Sequence, residues 1–149
     1  MARFQYRMQN ILNIKLRQEE QQKTAFGIAQ RKLNDEEEKL AELMARREGY
    51  MDEGREMRKR AISVYDLSSN RDAVNVMDEI IAGQRIAVMR AQKNLEVERQ
   101  RLTEAMQERK MHERLREKAY ERFLEEERKE EAKINDERSS FVYGQRESV

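Results

Sequence analysis

The stretch VNVMDEIIAGQRIAVMRAQKNLEVERQRL, residues 74–102, decides the fold. Within it Val74, Ile81, Val88, Leu95 and Leu102 recur every seven residues without a polar interruption. Met77, Ala91 and, just beyond, Ala105 join them on the same helical face. An apolar column of period seven held over five repeats is the seam of a coiled coil, not the alternation of a strand. It predicts one long helix with a narrow apolar stripe that a second helix must cover.

The N-terminal half supplies that second helix. Phe26, Leu33 and Leu40 form one seven-residue column, and Ala29, Leu43, Tyr50, Met57 and Val64 form the interleaved one, interrupted by Glu36. Between the halves, Tyr65-Asp66-Leu67-Ser68-Ser69-Asn70-Arg71-Asp72 is the densest cluster of turn formers. Ser69 with Asp72 three residues later approximates a capping box, so a helix start is expected there. The expected organisation is a single all-α domain, a long antiparallel two-helix coiled-coil hairpin. Helix 1 covers about 3–64, a turn about 65–71, helix 2 about 72–139 and a flexible tail 140–149.

A turn centred near Leu67 and Ser68 implies that facing residues have numbers adding to about 135. Leu40 then meets Leu95, Leu33 meets Leu102, Leu12 meets Phe123, Ile11 meets Leu124 and Ala61 meets Val74. This agreement along the length favours an intramolecular hairpin, and so a monomer, over two parallel chains. At about 1.5 Å per residue each arm spans roughly 100 Å, which makes the expected molecule a rod. Where Gln18, Glu19 and Gln22 face Glu113, Arg116 and Glu117, polar residues occupy both sides, and the weakest packing is expected there.

Composition supports this reading and excludes most alternatives. The 149 residues include no Cys, no Pro and no Trp, and 41% are charged, with 31 basic residues balancing 30 acidic ones. Without cysteine neither a disulfide scaffold nor a zinc ribbon is available. Hydrophobic residues make up 38%, too few in a short chain for a large core or an enclosed enzyme pocket. Disorder is disfavoured because the charges balance and proline is absent. No apolar run reaches the length of a membrane span, and the first residues lack a signal-peptide core, so a cytoplasmic protein is expected.

Chemistry-bearing constellations are missing. His112 stands alone, with Glu108 one turn before it, and the five glycines are scattered, so neither a metal nor a phosphate loop is expected. Ser68 and Ser69 have no histidine near them in sequence to act as a base. The reading is no catalysis and no cofactor. Nucleic-acid binding is disfavoured by a net charge of +1, despite small basic clusters in the first 32 residues and at Arg55 to Arg60.

Two surfaces are candidates for partners. Phe4, Tyr6, Phe123, Phe141 and Tyr143 concentrate near the termini, which a hairpin brings to one end. Phe4, Arg7, Ile11, Phe123 and Leu124 define that tip. The second candidate is the stripe Met77, Ile81, Gln84 and Val88, spaced four, three and four, which also reads as seam. A two-helix seam leaves open edges, and Gly83 beside the stripe would let a partner backbone approach.

The opening Phe4-Gln5-Tyr6-Arg7-Met8-Gln9-Asn10-Ile11-Leu12 resembles the typical start of the FliJ family of flagellar export proteins. The charged segment Glu108-Arg109-Lys110-Met111-His112-Glu113-Arg114-Leu115-Arg116-Glu117 is similar to that family's, and Glu125 to Lys129 and Ile134 to Glu137 continue it. The resemblance implies an antiparallel coiled coil like the central stalk of rotary ATPases. It also implies contact with the export ATPase FliI through the tip and with the export-gate protein FlhA through the stripe Met77, Ile81, Gln84 and Val88. Export chaperones are further implied partners, with location at the inner face of the cell membrane through these contacts. The competing reading is a generic coiled-coil scaffold or spacer.

Overall fold

The computed structural model describes residues 2–60 and 63–147. Two helices account for nearly all of it, α1 (Gln9–Arg58) and α2 (Val64–Glu147), packed against each other as an antiparallel hairpin. Long runs of Glu, Lys, Arg, Gln, Leu and Ala make such helices favourable, and no proline interrupts them. The chain divides into two compact units, Glu20–Thr103 and Met1–Glu19 with Glu104–Val149.

The connection lies earlier than the turn formers suggest. At the end of α1, the Lys59 and Arg60 amides donate to the Glu56 and Met57 carbonyls at 3.1 and 3.2 Å. These tight bonds end the helix. Ser63 then caps α2: its hydroxyl oxygen accepts from the Asp66 amide at 3.2 Å. The capping box is therefore Ser63 with Asp66, six residues before the expected Ser69 with Asp72. Residues 65–71, expected as the turn, are helical, and α2 runs to Glu147 through most of the expected flexible tail. The expected pairing of Ala61 with Val74 lies outside the described residues.

In the unit Glu20–Thr103 the core is Ala29, Leu33, Val88, Ala91 and Leu95, with Phe26 and Leu40 packed against it. Met77 and Ile81 are also buried. The column Val74 to Leu102 and the column Phe26, Leu33 and Leu40 thus line the seam, with Ala29, whereas Val64, read as the end of the interleaved column, is exposed at the start of α2. Their register differs from the expected one. Glu36 faces Gln84, Arg47 faces Asp78, Tyr50 faces Asn70 and Phe26 faces Arg99. These numbers add to roughly 120 to 125 instead of about 135, a displacement of about three helical turns. Three turns return a helix to the same face, so the right residues are buried against different partners. Leu33 belongs opposite Ala91 rather than Leu102, and Leu40 opposite Gln84 rather than Leu95.

Near the connection Gly54 faces the Asn70 side chain. A Cβ there would overlap the Asn70 amide, which donates to the Tyr50 carbonyl at 2.9 Å. This bond shows why Asn70, a turn former by composition, sits inside a helix: its side chain is used across the seam. At Gly27 an added Cβ would meet nothing within 4 Å. Gly27→Ala is therefore expected to stabilise the chain by up to about 1 kcal/mol through helix propensity alone. Gly54→Ala should gain less or nothing, because the Asn70 amide must leave Tyr50, and adding Asn70→Ala should restore part of the gain. Thermal unfolding followed by circular dichroism of the four proteins checks this order.

Candidate partner-binding surfaces

In the unit formed by the chain ends, an aromatic cluster closes the seam. The Phe4 ring lies 5.1 Å from Tyr120 in an edge-to-face arrangement and 5.5 Å from Phe123, and Tyr120 stacks on Phe123 at 6.4 Å. The Arg116 guanidinium sits 5.5 Å from the Phe4 ring and donates to Gln9 Oε1 at 3.0 Å. Such aromatic and cation–π contacts fix an otherwise extended N-terminal segment. Tyr120 was absent from the sequence-derived set. Its spacing of three from Phe123, one helical turn on the same face, was the signal that could have found it.

The expected tip residues are divided by this packing. Phe4 and Phe123 meet each other and are half-buried, so Phe123 packs on Phe4 and not on Leu12. Leu12 is buried on its own account. Arg7, Ile11 and Leu124 are exposed and free to meet a partner. Phe141 and Tyr143 do not join the cluster: they lie on the continuation of α2, both exposed, roughly 27 Å or more along the helix from Phe123.

The polar segment, expected to be the loosest, is held by ions. Glu19 is only 5% exposed and pairs with Arg109, whose Nη1 also donates to Glu113 Oε2 at 2.9 Å. The two carboxylates, Glu113 first, hold the Arg109 guanidinium protonated above its usual range. Lys15 Nζ reaches Glu108 at 2.8 Å and lowers the Glu108 carboxyl below its ordinary value. Glu19 therefore meets Arg109 rather than Arg116, seven residues or about two turns earlier on α2.

The stripe Met77, Ile81, Gln84 and Val88 is brought together, but in the seam. Met77, Ile81 and Val88 are 4%, 7% and 8% exposed. Gln84 Nε2 donates to the Glu36 carbonyl at 2.9 Å and to Glu36 Oε2 at 2.5 Å. Glu36, the polar interruption of the α1 column, is thereby satisfied, with Lys32 at 3.0 Å and Lys39 at 3.7 Å at its outer oxygen. Lys32 above all, then Gln84, holds the Glu36 carboxyl below its usual range. What remains exposed is the neighbouring stripe, one residue earlier: Val76, Ile80 and Gly83, with Ala87 half-buried. It has the same spacing of four, three and four.

No described helix is long and apolar enough to cross a membrane. Among the described residues no group of three or more His, Asp or Glu is placed to hold a metal ion. The arrangement defines a class: an all-α coiled-coil hairpin. The family model described as flagellar FliJ protein matches residues 4–148, and the chain belongs to this family, whose members are associated with flagellar type III export. The solved structure of a protein described as a YscO homolog, CT670 from Chlamydia trachomatis, superimposes with a TM-score of 0.76 at 22% identity, covering 99% of each chain. That likeness concerns the fold. No sequence among the curated proteins compared matches this chain.

The carboxyl shifts set the response to acid. Glu36 and Glu108 have folded values below the ordinary 4.5, so their contribution is present above that pH and is lost as pH falls through the lowered values. The melting temperature should stay level from pH 7 to about 5 and then drop. Replacing both groups, Glu36→Gln with Glu108→Gln, should lower stability at pH 7 and shrink the drop on acidification, which melts between pH 7 and 3 will measure.

Proposed function

We propose that this chain is a non-catalytic accessory protein of flagellar type III export whose coiled coil serves as a stalk. The family match over residues 4–148 carries this reading. Its tip would enter the ring of the export ATPase, FliI, and promote ring assembly and ATP turnover. An asymmetric stalk meets the subunits of a ring in unequal states and so biases their conformations, provided that it binds those states with different affinity. The exposed tip residues Arg7, Ile11 and Leu124 are the contact side chains of this reading, with Phe4 and Phe123 holding the tip together behind them.

The coiled coil would contact the export gate, FlhA. Because Met77, Ile81 and Val88 are buried in the seam, this reading takes the neighbouring stripe, exposed Val76, Ile80 and Gly83 with half-buried Ala87, as the contact. Gly83 has open space where a Cβ would stand, so a partner can come close to the backbone. Export chaperones released at the ATPase would be passed on through the same chain. The protein would act in the cytoplasm at the inner face of the cell membrane, held there by its partners.

The test is ATP turnover by the purified ATPase as this chain is titrated in. The chain should raise turnover. The exposed triple replacement Arg7→Glu, Ile11→Asp and Leu124→Asp should cut the stimulation by about tenfold or more, equivalent to about 1.4 kcal/mol of contact energy, with little change in melting temperature. Val76→Asp with Ile80→Asp should leave turnover intact and abolish pull-down of the gate protein's cytoplasmic part. Unchanged stimulation by the folded triple variant would defeat the stalk reading.

A further inference from the structure

Helix α2 carries one more surface that neither the seam nor the reading above uses. The chain has 30 acidic residues, yet none falls between Glu79 and Glu96, an interval that holds Arg85, Arg90 and Lys93. Within it Ala82, Ile86, Met89 and Lys93 are spaced four, three and four along one side of α2, and all four are exposed. Ile86 is 52% and Met89 65% exposed. Together with Arg90, Gln92 and Lys93 they line an open hollow of about 480 Å³.

Among the described residues the cations here stand without carboxylate partners, as Arg31, Arg46 and Arg71 of the same unit also do, while others of the unit are paired. Arg47, Arg55, Lys59, Arg99 and Arg101 each have a carboxylate partner. Among the described residues no carboxylate pairs with Arg85, Arg90 or Lys93, and Arg85 Nη2 has only the Met44 sulfur at 4.0 Å. Between Ala73 and Ala91 the helix is apolar on its seam side, and outside the seam Val76, Ile80, Ile86 and Met89 stand exposed among Asn75, Asp78, Glu79, Arg85 and Arg90. Exposed apolar side chains as large as Ile86 and Met89 gain from being covered.

We propose that the face formed by Ile86, Met89, Arg90 and Lys93 docks an amphipathic helix of another protein, one with an apolar stripe flanked by carboxylates. The spacing along α2 suits the ridge of a helix. Uncompensated Arg90 and Lys93 beside an apolar floor select an acidic partner, and the flexible Met89 thioether adapts to its side chains. A second copy using this same face is disfavoured, since it would set Arg85, Arg90 and Lys93 against themselves. The site is distinct from the stripe Val76, Ile80, Gly83 and Ala87 and does not depend on any function assigned to it.

The probe is a labelled synthetic helix of about three heptads with leucine at the seam positions and glutamate beside them, compared with a counterpart carrying lysine instead of glutamate. Fluorescence anisotropy with the full chain should show saturable binding of the glutamate helix, about tenfold or more tighter than the lysine helix. Ile86→Ser with Met89→Ser should weaken it by about tenfold, and Arg90→Glu with Lys93→Glu should reverse the preference toward the lysine helix. All four side chains are exposed, so helicity and melting temperature should hold, and the surface charge reversal remains informative if the serine variant unfolds. No saturable binding, equal affinity for both helices, or unchanged affinity in both variants would overturn the proposal. Self-association of the chain that Met89→Ser abolishes would also overturn it, by giving the face to a second copy.

Discussion

The structure depends on one constraint: within each unit, two helical segments with modest apolar content must keep one register. Apolar layers alone do not fix it, because Leu, Val, Ala and Met columns pack nearly as well after a shift of whole turns. Polar groups inside the seam break that degeneracy. Gln84 on Glu36, Asn70 on the Tyr50 carbonyl and Arg109 on Glu19 each make a polar bond across the seam that a shift of register would break. An unsatisfied buried polar group costs about 1 to 3 kcal/mol, so a few such layers outweigh small gains from shifted apolar contacts. The use of buried polar residues to set register is well attested in coiled coils.

This constraint explains what the sequence made legible and what it hid. The period-seven columns through Val74 to Leu102 and Phe26 to Leu40 identified the buried face correctly, because burial depends on periodicity alone. Register depended on where the connection lies, and there composition misled. Ser68, Ser69 and Asn70 look like a turn, but inside a long helix their cost is offset by tertiary contact, and Asn70 contributes a bond across the seam. The true cap, Ser63 with Asp66, was equally visible in the sequence but less conspicuous. An error of about three turns then kept the central columns on the buried face while changing their partners, so pattern matching could not reveal it there; Ile11 and Leu124, expected in the seam, are exposed.

The same logic governs the candidate surfaces. A stripe spaced four, three and four is found on every face of a helix, and spacing cannot say which one is seam. Met77, Ile81 and Val88 are seam, and the parallel stripe from Val76 to Ala87 is surface. At the chain ends, Phe4 and Phe123 were legible as an aromatic pair, whereas Tyr120 was masked by the charged residues around it. Phe141 and Tyr143 were placed with them only because proximity to a terminus was taken for proximity in space. The interval 80–95 holds no acidic residue, and Arg85, Arg90 and Lys93 within it have no carboxylate partner among the described residues.

The register is the claim on which all of this stands, and the absence of native cysteine makes it directly measurable. Leu33→Cys with Ala91→Cys and Leu33→Cys with Leu102→Cys should be treated with a short thiol cross-linker at low protein concentration. The account predicts rapid cross-linking within one chain for the first pair and none for the second, whose thiols lie about 16 Å apart along the helix axis. Cross-linking of the second pair in preference to the first would contradict it, and links only between chains would contradict the hairpin itself.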